Sequence, residues 1–224
     1  DTIAHSFPRP TARKFEKVVT PDGEAEVPIE PDGDTSIFVF KTVADPFVGK
    51  MSFFKVMNGE LKRDMVLRNT KTGTTEKMAH IYTIRGKKQT EVESICCGDL
   101  GMTAKLANVN TNDTLTASAN DIVYKGIDFP EPFLTQAIRP LAKGDEDKIS
   151  SGISKLLEED LTTRYENDAE TKQLLISGLG DIHLDVLTAK LKNRFGTSVV
   201  LEKPKIAYRE TIKKAVEAEG KHKK

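Results

Sequence analysis

The residues most suggestive of chemistry lie together in the stretch SGLGDIHLD. Gly178 and Gly180 match the first two glycines of a GxGxxG dinucleotide-binding loop, but His183 occupies the third glycine position, which argues against that loop. Asp181, His183 and Asp185 could instead act as acid/base groups or metal ligands, although neighbouring residues on one helical turn point in different directions. The structural alternative is that the two aspartates complement a helix N-terminus while His183 packs at a seam.

Motifs for other catalytic or cofactor chemistry are missing from the sequence. There is no GxxxxGK[ST] loop and no DxxG, so the chain by itself cannot cradle and sense a nucleotide γ-phosphate. HExxH, CxxC and GxSxG are also absent, and Cys96 and Cys97 alone form neither a disulfide framework nor a zinc site. We therefore predict no catalytic residue, no bound metal and no cofactor in this chain.

Basic residues gather at the predicted turns of the middle of the chain. Arg85, Lys87 and Lys88 form one hairpin tip. A nearby pair of turns carries four more, Lys62, Arg63, Arg68 and Lys71. Cationic loop tips suit contacts to a phosphate backbone, which need charge and reach rather than base-specific geometry. A merely solvated surface is the alternative, and composition does not separate the two.

Composition excludes several classes of protein. The 224 residues include 34 Lys+Arg and 34 Asp+Glu, so the formal net charge is zero, and 38% of the residues are hydrophobic. This balance supplies a core, excludes general disorder and gives no global charge excess that would indicate nucleic-acid binding. No run approaches the ~20 apolar residues of a membrane-spanning helix. Without a signal segment and with only two cysteines, a cytoplasmic location is expected.

Residues 34–118 are predicted to form a small antiparallel β-barrel or sandwich. Short β-branched and aromatic segments alternate with turn signals about every ten residues, as is typical of such folds. The predicted strands are 36–43, 51–57, 65–68, 76–83 and 102–106. Asn58-Gly59 predicts a hairpin turn, and further turns are expected at Lys71-Thr72-Gly73 and Arg85-Gly86.

Residues 130–212 show a different pattern, β-α-β-β-α-β, which is the split ferredoxin-like unit. Strand 133–138 is expected to stop before Pro140, and further strands are expected at 162–165, 172–177 and 197–201. A helix over 145–160 has an apolar face made of Ile149, Ile153, Leu156 and Leu157. A second helix over 181–195 has the stripe Leu184, Leu187, Leu191 and Phe195, with Gly196 as its stop.

The remaining segments are predicted to be connections and ends. Residues 8–33 hold five prolines, so the region 1–33 is expected to comprise the last turn of a helix followed by an extended linker or irregular arm. Residues 119–129 form the linker between the domains. Residues 213–224 form a strand without a partner, expected to be mobile. These unpartnered ends predict an excised fragment of a longer protein, and we expect the fragment to be a monomer.

Three motifs carry a resemblance to elongation factor G. Residues 45–56 (DPFVGKMSFFKV) and 59–62 (GELK) resemble its second domain. Residues 176–186 (ISGLGDIHLDV) resemble its third-domain signature, with Leu179 where Met is usual and Asp181 where Glu is usual. Residues 203–212 (KPKIAYRETI) are similar to the exit from that domain.

The two ends of the chain are similar to parts of the same family. Residues 1–10 are similar to the end of the last GTPase-domain helix, and residues 219–224 to the opening strand of the fourth domain. The resemblance therefore spans essentially the whole chain. It implies a translation-factor β-barrel followed by a ferredoxin-like domain.

The resemblance also implies a function. The whole protein would be a cytoplasmic, ribosome-dependent translational GTPase that drives translocation of tRNA and messenger. The barrel would dock on small-subunit ribosomal RNA and proteins. The third domain would relay nucleotide state between the GTPase domain and the downstream domains. GTP and Mg would bind in the GTPase domain, outside this chain, so the chain would hydrolyse nothing by itself.

Site residues follow from the same resemblance. Gly178, Gly180, Asp181, His183 and Leu184 would line a seam facing the GTPase domain, where the antibiotic fusidic acid binds family members. His183 would be a contact there and not a catalyst.

Several other functions stay open at this point. The chain could be a stand-alone ribosome- or RNA-binding adaptor that never had a GTPase domain, or the central part of a tetracycline-resistance ribosomal protection protein. A small-molecule enzyme using Asp181, His183 and Asp185 is a third alternative. Whether the whole protein translocates or recycles ribosomes is also open.

Overall fold

The computed structural model describes residues 2–8, 12–45, 47–119, 121–142 and 144–223. Asp1, Pro10 and Lys224, which belong to segments discussed above, lie outside these ranges. The first elements are α1 (Thr2–Ser6), β1 (Phe15–Thr20) and β2 (Gly23–Pro28). The barrel strands are β3 (Ser36–Asp45), β4 (Gly49–Asn58), β5 (Glu60–Lys62), β6 (Val66–Asn69), β7 (Thr75–Lys77), β8 (Ile81–Arg85), β9 (Lys88–Val92), β10 (Ser94–Cys96), β11 (Leu100–Ala104) and β12 (Thr114–Thr116). The remaining elements are β13 (Val123–Tyr124), β14 (Leu134–Pro140), α2 (Glu146–Glu159), β15 (Arg164–Asp168), β16 (Gln173–Gly178), α3 (Asp181–Phe195) and β17 (Val199–Glu202).

The segment predicted as a linker or irregular arm contains a regular hairpin instead. β1 and β2 pair from Phe15↔Pro28 to Thr20↔Gly23, and β13 adds a third strand beside β1. The Tyr124 hydroxyl lies 2.7 Å from Ser36 Oγ, which ties this small sheet to the barrel. The prolines did not prevent pairing because Pro28 sits at a strand end, where no interior ladder hydrogen bond is required of it.

The predicted β-barrel is confirmed. Eight antiparallel strands follow the order β7-β6-β12-β3-β4-β11-β8-β9, and β5 pairs separately with β10. Arg63 N–H donates to Glu93 O, which extends the β5–β10 pair, while Asp64 N–H donates to Met78 O and extends β6–β7. Residues 60–69 therefore bridge the two sides of the sheet. The barrel strands surround one apolar core that includes Ile37, Val39, Phe54, Val56, Leu67, Ile81 and Leu115.

Two local predictions for the barrel are wrong, and one strand, β12, was not predicted. The segment 76–83 is not one strand, because Met78–His80 separates β7 from β8. β12 lies within a stretch that reads as polar, yet Leu115 and its neighbours Thr114 and Thr116 are buried between β3 and β6. Asn58-Gly59 does not make a hairpin, because β4 pairs with β3 and β11 whereas β5 pairs with β10.

Asn58-Gly59 instead forms the bend on which residues 30–34 rest. Asn58 Oδ1 accepts the Glu30 N–H at 2.6 Å, and its Nδ2 donates to Asp34 O at 3.0 Å. Gly59 has φ +68° and donates its N–H to Glu30 O at 2.9 Å. A Cβ at Gly59 would lie 2.4 Å from Gly33 O, so both the conformation and the space require glycine.

The predicted ferredoxin-like domain is also confirmed. Its four strands follow the antiparallel order β15-β16-β14-β17, and the expected apolar faces of α2 and α3 pack on one side of this sheet. Ile149, Ile153 and Leu156 of α2 meet Leu187 and Leu191 of α3 in the core. β14 runs through Pro140 rather than stopping before it, and Pro140 is its last residue.

No helix or strand follows β17 within the described residues, and 205–223 are exposed throughout. The strand predicted for the C-terminal segment is thus not formed in this part of the chain. A helix long and apolar enough to cross a membrane is likewise not found among the described residues.

The bend at Gly59 gives a testable prediction. Gly59→Ala should lower the free energy of unfolding of the barrel by about 2–3 kcal/mol, because it adds backbone strain and a steric clash. Native-state hydrogen exchange at core amides such as Phe54 measures this domain by itself.

Gly73→Ala is the matched control, because Gly73 has φ +74° but nothing within 4 Å of an added Cβ. It should cost only about 1 kcal/mol. Equal losses in the two variants would contradict the steric contribution.

Candidate functional site

The predicted basic tip is the end of the β8–β9 hairpin. Arg85 pairs with Lys88 across the Gly86-Lys87 turn, and Gly86 has φ +60°. β8 pairs with β11 only through Tyr82 and Met102. Within the described residues, the outer half of the hairpin therefore has no strand partner outside the hairpin itself.

The three cations at this tip are available for a partner. Arg85, Lys87 and Lys88 are all exposed. In the described part of the chain, none of their side chains forms an ion pair with a carboxylate. An exposed turn with three uncompensated charges presents a local positive potential despite the zero net charge of the chain.

The other four predicted basic residues lie elsewhere on the barrel. Lys62 pairs with Glu60 at 3.4 Å, and Arg63 Nη1 lies 3.4 Å from carboxylate oxygens of Glu91 and Glu93. Because Arg63 sits beside the far end of β9, about 16 Å of strand separates it from the tip.

Two of the four lie on or beside β6. Arg68 contacts Asp121 at 2.7 Å, and Lys71 is exposed in the turn that follows β6. The strand order places β6 between β7 and β12 rather than beside the hairpin. The structure thus does not bring these four residues together with the tip.

The predicted seam is organised around the ring of His183, in the first turn of α3. Its Nδ1 accepts the Leu179 N–H at 3.0 Å, and its Nε2 lies 2.8 Å from Asp160 Oδ2. Asp160 is the residue that caps the C-terminus of α2. The imidazole therefore ties the Gly178–Gly180 loop to the end of the other helix.

These contacts define the protonation pattern of the pair. Since Nδ1 is an acceptor, the ring proton resides on Nε2 and is donated to the Asp160 carboxylate. Burial acts to raise the pKa of Asp160, but hydrogen bonds from Thr162 and His183 outweigh it and hold that pKa below its ordinary value. Both ring nitrogens are thus engaged, Nδ1 by the Leu179 N–H of the loop and Nε2 by Asp160, which leaves neither free to bind a metal or to abstract a proton.

The small-molecule enzyme considered above could have used a metal ion, but the described residues do not form a metal site. Among the described residues, no three His, Cys, Asp or Glu side chains are grouped to hold an ion. Asp181 and Asp185 are exposed on the first turns of α3.

Other residues predicted for the seam occupy different environments. Gly178 is buried, and a Cβ there would lie 2.9 Å from His183 Nδ1 and 3.0 Å from Leu184 Cδ2. Gly180 has open space around it. Leu184 is 1% exposed and belongs to the domain core. Its position in the apolar stripe of α3 directs Leu184 inward, and the expectation that it lines a seam facing the GTPase domain stays a prediction.

The outer face of α3 carries apolar residues that the sequence prediction missed. Ile182 is 80% exposed and Val186 is 46% exposed, and the two lie one helical turn apart. The available signal was their i, i+4 spacing on the face opposite Leu184, Leu187 and Leu191. Asp160 was missed as well, since its link to His183 depends on how the two helices pack.

Comparison with known proteins identifies both domains. Residues 34–118 match the family model described as elongation factor G domain 2, and residues 129–203 match that of Elongation Factor G, domain III. The chain belongs to the elongation factor G family. It contains domains 2 and 3 of an elongation-factor-G-like protein, in the order that family uses.

A solved structure supports the same arrangement. The chain is similar to the crystal structure of ttk003000868 from Thermus thermophilus, with a TM-score of 0.77 and 28% sequence identity. The match covers 95% of this chain and 30% of that chain. The elongation-factor-G-like chain thus spans less than a third of the length of this relative.

The tight fit at Gly178 yields a second prediction. Gly178→Ala should displace the His183 ring and lower the free energy of unfolding of the third domain by about 1–3 kcal/mol, since the added methyl group meets the His183 ring and the buried Leu184 side chain. NMR of the His183 ring and exchange of the Leu179 amide measure the change.

Gly180→Ala provides the control because space is open at that position. It should leave both signals nearly unchanged. An undisturbed His183 ring in Gly178→Ala would show that the packing is not as tight as described.

Proposed function

We propose that this chain forms the docking and relay part of a ribosome-dependent translational GTPase. Its membership of the elongation factor G family, with domains 2 and 3 in sequence, is the observation that carries the proposal. The partners are small-subunit ribosomal RNA and proteins, a GTPase domain and the domains downstream of it, in the cytoplasm. The chain has no phosphate-binding loop of its own, so GTP and Mg would be held by the GTPase domain.

The barrel would dock through the β8–β9 hairpin tip. Arg85, Lys87 and Lys88 are exposed at the turn of a hairpin whose outer half has no other strand partner among the described residues. Lysine and arginine at such a turn can reach phosphate oxygens without base-specific geometry, which suits a ribosomal RNA backbone. Lys62, Arg63 and Arg68 are less suited, because binding RNA would require them to give up carboxylate partners.

Charge removal at the tip tests the docking role. Arg85→Ala, Lys87→Ala and Lys88→Ala combined should weaken binding of the chain to ribosomes. The slope of log affinity against log salt should fall by about one unit per lost phosphate contact. Titration at several salt concentrations gives the slope.

Lys62→Ala combined with Arg63→Ala is the comparison, since these cations already have carboxylate partners. That variant should change the slope less. A tip variant with unaltered affinity and slope would refute docking through the hairpin.

The third domain would relay nucleotide state through the outer face of α3. Ile182 and Val186 are apolar and exposed on the helix whose first turn is anchored by His183 and Asp160. An exposed apolar patch on a rigid support is typical of a surface that another domain covers. The GTPase domain is the partner that the family membership favours.

Polar substitution of this surface tests the relay. Ile182→Ser and Val186→Ser together should reduce ribosome-stimulated GTP hydrolysis by the whole protein about 30-fold or more, because burying each of the two apolar side chains contributes about 1–2 kcal/mol. Hydrolysis without ribosomes and the unfolding of the third domain should be nearly unaffected.

Val66→Ser is the matched control, because Val66 is 54% exposed but lies on β6 of the barrel. It should keep normal stimulation. Normal stimulation in the α3 variant as well would exclude this face as the contact.

A further inference from the structure

One carboxylate lies at the junction of the barrel and the third domain. Glu159 is the last residue of α2, and its side chain is only 9% exposed. Its Oε1 accepts the Ala44 N–H of β3 at 2.8 Å and lies 2.7 Å from Arg194 Nη1 of α3. Lys190 approaches its Oε2 at 3.9 Å. A single side chain of α2 therefore contacts both the barrel backbone and α3.

The Ala44 amide is free for this contact because of the barrel topology. β12 pairs with β3 only from Ser36 to Phe38, so the second half of β3 has β4 as its strand partner within the described residues. The Ala44 N–H points to the other side, toward α2. An unpaired backbone donor in a partly buried place requires an acceptor, and Glu159 supplies it.

Burial makes this contact strong and specific. A carboxylate removed from water is costly unless charged donors surround it, and breaking such a pair leaves an uncompensated charge. Arg194 supplies the balancing positive charge, and the bond from Ala44 is charge-assisted. Glu158, the preceding residue, differs: it is 41% exposed and lies 3.6 Å from Lys50, so that pair is weakly stabilising.

The next residue along the chain connects this contact to the seam. Asp160 accepts a hydrogen bond from His183 Nε2, and His183 Nδ1 accepts the Leu179 N–H. Two consecutive residues at the end of α2 therefore face two places, the barrel edge through Glu159 and the Gly178–Gly180 loop through Asp160.

We propose that Glu159 is the positioning residue that sets the orientation of the third domain, and hence of its seam, against the barrel. When its carboxylate is removed, the Ala44 amide loses its acceptor and the two domains turn relative to one another while each stays folded. Because this concerns domain geometry, it holds or fails independently of whether the chain acts on the ribosome.

Glu159→Ala provides the direct test. The Ala44 amide should exchange with solvent about tenfold faster or more, as expected for loss of a charge-assisted hydrogen bond. Core amides such as Phe54 in the barrel and Ile176 in the third domain should keep their protection. Both are read from one NMR hydrogen-exchange experiment on the chain.

Domain orientation is measured separately by spin-label distances. Labels at Lys71→Cys in the barrel and Ala169→Cys in the third domain, both exposed positions, are introduced with Cys96 and Cys97 replaced by serine. Glu159→Ala should broaden the distance distribution. Glu158→Ala, the matched control, should leave both the distribution and the Ala44 exchange rate unchanged.

If Glu159→Ala lowers the hydrogen-exchange protection of the core amides, Glu159→Gln provides the test instead. A glutamine oxygen can still accept the Ala44 N–H but offers Arg194 no charge, so a smaller increase in exchange and broadening is expected. Unchanged distances in a folded Glu159→Ala, or unchanged Ala44 exchange and distances in Glu159→Gln, would overturn the proposal.

Discussion

The burial of Glu159 between the two domains is the constraint on which the arrangement of the molecule depends. Its carboxylate is acceptable away from water because Ala44 N–H and Arg194 donate to it. This requirement ties the end of α2 to the open half of β3 and places α3 beside both. The basic hairpin and the outer face of α3 thus belong to one arrangement rather than to two independent bodies.

Polar side chains anchor one connection in each domain, and in the third domain that connection supports the surface proposed to function. In the third domain, the His183 ring links the loop before α3 to the end of α2, so the face with Ile182 starts from a fixed helix end. In the barrel, Asn58 and Gly59 seat residues 30–34 against the β4–β5 bend. The exposed groups themselves have few internal contacts, as is usual for binding residues on a rigid scaffold.

The spacing of apolar residues and turn residues along the sequence predicted much of the fold, because this spacing is regular in both domains. The apolar stripe of α3 at Leu184, Leu187 and Leu191 determined its span and its inward face. Prediction failed where pairing is non-local. Asn58-Gly59 has the composition of a hairpin turn, but a turn signal does not specify which strand the chain pairs with next. β12 was missed because buried threonines satisfy their hydroxyls through distant partners.

The candidate site was predictable only in part for the same reason. The sequence pointed to His183 but not to Asp160 or Glu159, which act through packing between helices. The sequence pattern grouped seven basic residues, yet only the folded barrel shows that Arg63 and Arg68 are paired with carboxylates while Lys87 has no carboxylate partner among the described residues.

The half of β3 that does not pair with β12 has a consequence for the barrel when it is separated from the third domain. With α2 removed, the backbone from Thr42 to Asp45 would present unsatisfied donors and acceptors beside apolar Val43. Such an exposed strand edge is a template for pairing with another chain. The third domain therefore also protects its neighbour from self-association, and the elongation-factor-G-like barrel is expected to be less soluble alone than with the domain that follows it.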